Sequence, residues 1–331
     1  MEVETYSRPA TLLSRPPPFY SLPARGREGP HVAFDNPEVG AYGMDAGRHD
    51  DRWKAKDKMT TSTPASAVIL AAGFGSRLRP LTDLRPKPLV EVNGVPILHN
   101  ALRHLAEVGV REATIVVGYR KDAIQYACGR RFAGVDIHYV ESAVYDQTGS
   151  AYSLWLAREA LLRGDTYLLE GDVFFEAEAL QRLRRDEAAD AADVAPFDER
   201  MEGSAVVLGP DGTIVEVRMR QTAADLVRPG APMLFKTMNL FRFSAATLRN
   251  LVVPALDERI ASGAIRSYTE ELLAHLVVER GLRVHATRCD DLKWYEIDSV
   301  EDLGIAERIF APGSAIPVTE EAPEATGMAT R

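Results

Sequence analysis

The chain is poor in everything that would place it outside a reducing, aqueous setting. Of its 331 residues only two are cysteine, Cys128 and Cys289, and two distant thiols make neither a disulfide framework nor a zinc site. No apolar run reaches the roughly 18 residues that a membrane span needs, and the first residues lack a signal-peptide core. Excess positive charge is missing too. Lys and Arg number 39 against 48 Asp and Glu, for a net charge of −9 and a pI near 5.4, which speaks against nucleic acid or a membrane surface as partner. Nor is a Ser/His/Asp or Cys/His arrangement for a covalent nucleophile evident; His99, His104 and His275 read as surface or packing residues. The expectation is a soluble, cytoplasmic protein with a small anionic partner.

What is present is enough apolar material, 46% of the chain, to bury a sizeable core. Residues 1–63 are rich in Pro, Arg, Asp and Gly, include Arg15-Pro16-Pro17-Pro18, and show no sustained apolar periodicity. They read as a disordered extension. A start assigned too far upstream, with Met44 or Met59 as the true one, accounts for them equally well. Residues 312–331 read as a second loose tail, leaving one globular domain over 64–311.

Within that domain strand and helix signals alternate, the pattern of a mostly parallel open sheet covered by helices. The periodicity predicts helices over 97–108, 122–131 and 151–162, with strands over 67–70, 113–117, 136–140 and 166–170. After Asp172 the alternation loosens. Strands 204–208 and 213–217 flank Pro210-Asp211-Gly212, whose turn chemistry makes a β-hairpin, expected to overhang the site. Strand 234–243, helices 245–260 and 269–280, strands 283–287 and 294–297, and a closing helix 300–309 follow. Periodicity does not separate apolar faces that would join two copies into a homodimer from faces that belong to the core.

The stretch Val68–Pro88, V-I-L-A-A-G-F-G-S-R-L-R-P-L-T-D-L-R-P-K-P, concentrates the chemistry. A short apolar strand runs through Leu70 into Ala71, Ala72, Gly73 and Gly75, whose small side chains let backbone N–H groups approach a phosphate. Arg77 offers a planar fork of donors and Lys87 a point charge, a pair suited to holding a triphosphate and neutralising departing pyrophosphate. Two commoner phosphate loops do not fit: the third glycine of G-x-G-x-x-G is missing, and no Lys follows Gly75. An ordinary strand-to-loop turn would explain the glycines but not the placed cations.

The acidic half lies further on. Asp172, in Thr166–Phe175 (T-Y-L-L-E-G-D-V-F-F), stands at a strand's carboxyl end, where open α/β sheets place ligands. It suits a hard cation such as Mg²⁺, which binds through one or two carboxylates plus substrate phosphates. Asp298, in K-W-Y-E-I-D-S (293–299), is the second candidate, although before Ser299-Val300-Glu301-Asp302 it could instead cap the last helix. A phosphate acceptor needs no covalent enzyme nucleophile. Its second pKa lies near 6, so at neutral pH the protein has only to align it with the α-phosphorus and stabilise charge.

These residues carry a family likeness. L-A-A-G-F-G-S-R-L-R-P-L-T with P-K-P-L-V resembles the signature of the nucleotidyltransferases that activate sugar phosphates and related acceptors, over roughly 66–310. The stretches 151–157 (A-Y-S-L-W-L-A), 170–172 (E-G-D) and 294–299 (W-Y-E-I-D-S) are most similar to the phosphocholine and phosphonate cytidylyltransferase branch. The resemblance implies a Rossmann-like fold, CTP as donor (another NTP outside that branch), Mg²⁺ as cofactor, and pyrophosphate release as CMP passes to a small phosphate or phosphonate. By that likeness Leu70, Ala71, Ala72, Gly73, Gly75, Ser76 and Arg77 hold the nucleotide, together with Gly149 and Ser150. Lys87 bridges donor and acceptor phosphates, so Arg77 and Lys87 are the catalytic cations, and Asp172 with Asp298 share the metal. The chain departs from the branch at Thr148-Gly149-Ser150, where Asn is frequent, and at Glu170, where Asp is familiar.

A cationic head group on the acceptor would be held by aromatic faces and carboxylates, for which Tyr152, Phe197, Trp294, Tyr295, Asp198 and Glu296 are available; each aromatic reads equally well as packing. Two other functions fit the same fold. A sugar-1-phosphate nucleotidyltransferase using UTP, dTTP or GTP would need polar groups for sugar hydroxyls instead of an aromatic cage. A non-catalytic nucleotide sensor would be expected to have lost Arg77, Lys87, Asp172 or Asp298, and all four are present.

Overall fold

The computed structural model describes residues 64–230 and 232–313; the expected extension over 1–63 and nearly all of the tail over 312–331 lie outside them. The twelve strands used below are β1 (Ser66–Ala71), β2 (Glu112–Val117), β3 (Arg131–Phe132), β4 (Val135–Glu141), β5 (Thr166–Glu170), β6 (Val173–Phe175), β7 (Ala191–Pro196), β8 (Gly203–Leu208), β9 (Ile214–Gln221), β10 (Phe235–Phe243), β11 (His285–Arg288) and β12 (Trp294–Glu296). Among the described residues a ten-stranded sheet runs β9-β8-β10-β5-β1-β2-β4-β3, with β7 pairing β10 and β11 pairing β7.

The sheet is mixed. β5, β1, β2 and β4 are parallel, in register Leu168–Val68–Thr114–His138, as expected for the first half. Beyond β5 the pairing turns antiparallel through β10, β8 and β9. In a strand alternate side chains face opposite sides, and β1 divides accordingly. Ala67, Ile69 and Ala71 join Leu98, Leu102, Ile124 and Leu180 on one face, whereas Val68 and Leu70 join Leu154, Leu256, Leu272 and Leu276 on the other. Each such side chain taken from water contributes about 1.5–3 kcal/mol, so helices on both faces are what keeps this continuous apolar strand folded.

Several expected elements differ in detail. The helix Lys121–Cys128 stops at Gly129, φ 61°, so that Arg131–Phe132 can pair with β4 as a short edge strand. The expected helix 151–162 is two helices, Ser150–Leu156 and Arg158–Leu161; the Arg158 guanidinium donates to the Trp155 carbonyl and lies over its ring. The helix 245–260 contains a wide π-helical turn, Leu248–Val252, before Val253–Ala261, since Pro254 has no N–H to continue the ladder. Among the elements that escaped sequence reading are β6, the helix Ala177–Arg185, and β7 (A-A-D-V-A-P), whose alanines give little strand signal. The hairpin forms where its turn predicts, with Leu208 facing Ile214 and Gly212 at φ 76°. No helix among the described residues is long and apolar enough to cross a membrane.

Candidate active site

β1 ends at Ala71 and the chain turns away through the glycine loop. Leu70, Ala71 and Ala72 are buried, and their carbonyls pin the neighbouring strand ends: Gly171 N–H donates to Leu70 O at 2.8 Å and Tyr119 N–H to Ala72 O at 3.0 Å. Gly75 needs to be glycine, with φ 64° and space for a Cβ only 2.8 Å from the Cβ of Lys87. Gly73 differs. Nothing lies within 4 Å of where its Cβ would stand, so the fold does not require it, and its open face suits a ligand's approach. Ser76 and Arg77 are exposed beside it.

Lys87 follows on the next turn, and the carboxyl ends of other strands close around it. Its Nζ lies 3.0 Å from Asp172 Oδ2, two residues beyond β5, and 2.5 Å from Asp298 Oδ1, two residues beyond β12. Arg77 reaches the second oxygen of Asp298 at 2.8 Å while remaining 70% exposed, free to turn toward an incoming anion. Burial opposes the charge on Lys87, but Asp172 and Asp298 outweigh it and its pKa is raised, so it stays cationic. For Asp298 burial is outweighed by Lys87 and then Arg77, and its pKa is lowered. Asp298 does not cap the last helix. Ser299 does, in a reciprocal capping box with Asp302, which leaves the Asp298 carboxylate to the site.

The donor set fits a hard divalent cation. Asp172 Oδ1 is buried without a hydrogen-bond partner, an unmet demand for positive charge, and Asp298 reaches the same ammonium. Among the described residues no group of three or more His, Cys, Asp or Glu side chains is placed to hold a metal; two carboxylates would need substrate phosphates to complete such a site.

Around Glu170, Gly149 and Ser150 the structure adds Thr269 and Glu270, which the sequence did not single out. Glu170 is bonded by the Thr269 hydroxyl, which also lies 3.2 Å from Glu270; burial, Glu270 and Asp172 together raise the Glu170 pKa well above the carboxylate range. Ser150 Oγ accepts from Thr269 N–H at 2.9 Å. Gly149 is clasped by backbone, since a Cβ there would meet Ser267 O at 2.2 Å. Gly149 and Ser150 therefore tie the loop before Thr269 to the start of the helix Ser150–Leu156. Lys236 and Asn239 were also missed. Polar residues within F-K-T-M-N-L-F-R-F, a strand buried along its whole length, were the available signal.

The acceptor candidates are scattered. Phe197 packs with Ala205 and Leu234, Trp294 sits in the main core with Phe175, and Tyr295 packs with Leu78, Val90 and Ile97. Tyr152 lies against Trp155, ring centroids 5.5 Å apart, and Asp198 pairs with Arg200. Glu296 alone of that set stands among the site's charged groups, with a raised pKa from burial partly offset by Lys236. Tyr295 also lies within electrostatic reach of Asp198 and Arg200. His99 stacks on Phe132, His104 meets Asn100 and Glu107, and His275 meets Glu279, as their packing reading expects.

A glycine loop, two paired cations, one carboxylate at the carboxyl edge of the parallel strands and a second just beyond β12 form the arrangement expected of a nucleotide-handling α/β enzyme. The chain belongs to the nucleotidyl transferase family, whose model matches residues 66–202. It is 38% identical over 252 residues to CMP-5'-(3-aminopropyl)phosphonate synthase of Streptomyces rubellomurinus, covering 76% of this chain and 40% of that longer protein. It is 35% identical over 185 residues to UTP–glucose-1-phosphate uridylyltransferase of Haloferax volcanii, covering 53% of this chain and 75% of that one. Among solved structures it resembles CTP:phosphocholine cytidylyltransferase of Streptococcus pneumoniae, with TM-score 0.62 and 26% identity over 74% of this chain and 98% of that one.

Proposed function

We propose that this protein is a cytidylyltransferase that moves CMP from CTP to a small phosphonate or phosphate acceptor with release of pyrophosphate. The observation that carries the reading is Lys87 held between Asp172 and Asp298 beside the open Gly73 loop. An acceptor oxyanion forms a bond to the α-phosphorus of CTP as the bond to pyrophosphate breaks, and no enzyme nucleophile takes part. Arg77 and Lys87 stabilise the charge that develops and orient the two phosphates. Asp172 and Asp298 would hold Mg²⁺, which when bound neutralises phosphate charge.

The choice of CTP and of a phosphonate-type acceptor is supported by the extent of similarity. The likeness to the Streptomyces cytidylyl enzyme spans 76% of the chain, against 53% for the uridylyltransferase. Identity to the latter keeps a sugar-1-phosphate uridylyltransferase as the second reading. The hairpin β8–β9, whose first residue adjoins Lys236, would cover the acceptor.

Pyrophosphate release with Mg²⁺ is the test, crossing CTP, UTP, ATP, GTP and dTTP against 2-aminoethylphosphonate, 3-aminopropylphosphonate, phosphocholine and sugar-1-phosphates. CTP-dependent release with a phosphonate or choline acceptor is expected. Release only with UTP and a sugar phosphate would replace the reading by the second one, and silence throughout would refute both for these acceptors.

A further inference from the structure

Lys236 lies on β10, and only 7% of its side chain reaches solvent. A buried ammonium is tolerated only when paired and hydrogen-bonded. Its Nζ lies 2.9 Å from Glu296 Oε2 and donates at 2.9 Å to the Glu202 carbonyl. Glu202 immediately precedes the hairpin, and Glu296 ends β12 two residues before Asp298. The hairpin's first residue is Gly203, at φ 105°, where a Cβ would lie 3.2 Å from Lys236 Nζ; glycine leaves the ammonium its room.

Glu296 is held from both sides by the same strand. Its Oε1 accepts from Asn239 Nδ2 at 3.2 Å, and Asn239 presents that amide from a left-handed backbone, φ 54°. With both oxygens engaged, Glu296 is better placed as scaffold than as a partner for an acceptor. The next residue, Ile297, donates its N–H to Asp172 O at 2.9 Å. The peptide carrying Asp298 is thus pinned to Asp172 on one side and to β10 through Glu296 on the other. Lys236 makes no hydrogen bond to Asp298; it attracts that carboxylate across space and is linked to its segment by contact through Glu296.

We propose that Lys236 is a positioning residue for the acceptor half of the site: through Glu296 it sets where Asp298 stands, and through the Glu202 carbonyl it ties the base of the hairpin to that segment. The identity of the acceptor rests on the reading above; the coupling of hairpin to Asp298 does not. The nucleotide loop, on the other side of Lys87, makes no bond to Lys236, so the two substrates should respond differently to its loss.

The test compares wild type with Lys236→Met, Gly203→Ala and the double variant Lys236→Met/Glu296→Gln. In the first two, KM for the acceptor should rise about tenfold and kcat fall, with KM for CTP within about twofold. Amide hydrogen exchange over 294–298 and 203–208 should quicken in both. The double variant removes the unpaired buried carboxylate, so it should regain Tm without regaining kcat or acceptor KM. Equal changes in both KM values, or recovery of turnover along with Tm in the double variant, would reduce Lys236 to charge balance and overturn the proposal. Should wild type release no pyrophosphate with any acceptor, the functional reading fails and hydrogen exchange alone decides: unaltered exchange over 294–298 in Lys236→Met overturns the coupling.

Discussion

Gly75 and Lys87 are packed back to back. The left-handed turn at Gly75, φ 64°, leaves only 2.8 Å between the place of its missing Cβ and the Cβ of Lys87, so the glycine loop and Lys87 are positioned by one contact. Gly75→Ala should lower stability by ~1–3 kcal/mol, the strain of a non-glycine residue in that region, and displace Lys87. Gly73→Ala meets no atom within 4 Å and should leave Tm nearly unchanged, within about 0.5 kcal/mol. If Gly73→Ala nevertheless raises KM for the nucleotide, the ligand's approach over Gly73 is measured directly; unchanged kinetics would remove Gly73 from the site.

Lys87→Met should lower kcat by roughly 10²–10³-fold, the scale for loss of one preorganised charge-stabilising group. It should also cost about 2 kcal/mol of stability, less than a fully buried pair would, because Asp298 is 30% exposed and solvent screens it. The pH dependence follows in sign. Asp298 has its pKa lowered, so its contribution is present above the unfolded carboxylate pKa and is lost as pH falls through the folded one. The gap in Tm between wild type and Lys87→Met should therefore narrow below about pH 4; a gap that stays constant down to acid unfolding would refute the pairing.

Asp193, on β7, is wholly buried, and the weakly donating Cys289 thiol is the one group set against its carboxylate among the described residues. Burial raises its pKa well above the usual range. A raised carboxyl gives stability that is complete below the unfolded pKa and is lost as pH rises toward the folded pKa. Asp193→Asn cannot ionise, so its Tm relative to wild type should improve between pH 5 and pH 8. A Tm difference that is the same at both pH values would show that folding does not raise the Asp193 pKa.

Trp294 was a candidate for an acceptor cage, yet it is 9% exposed and packed in the main core. Trp294→Ala should destabilise by ~3–5 kcal/mol, as large-to-small changes in cores do, and affect both substrates through the fold. A selective rise in acceptor KM at unchanged Tm would return it to the site.

Much of this molecule was legible because local chemistry announces it. The apolar run Ala67–Leu70, the glycines at 73 and 75, and the cations at 77 and 87 lie within 21 residues, so spacing alone carried the phosphate-loop reading. The Pro210-Asp211-Gly212 turn and the helix from Val300 were equally plain, each having its own turn or capping residues. Elements without such marks were not seen: β7 is half alanine, and the helix Ala177–Arg185 fell in a stretch whose alternation had faded.

By itself, then, the sequence determined the α/β alternation, the glycine loop and the residue types at Asp172 and Asp298, since these depend on neighbours a few positions apart. Only the tertiary structure decided which of them meet. Lys87 joins Asp172 across 85 positions and Asp298 across 211, and Lys236 reaches Glu296 from a strand that reads as pure core. The same folding withdrew Trp294, Tyr295 and Phe197 into apolar clusters, because an aromatic side chain gains more from close packing than its residue type reveals. Pairings between distant strands follow from sheet order and burial, which no local pattern encodes.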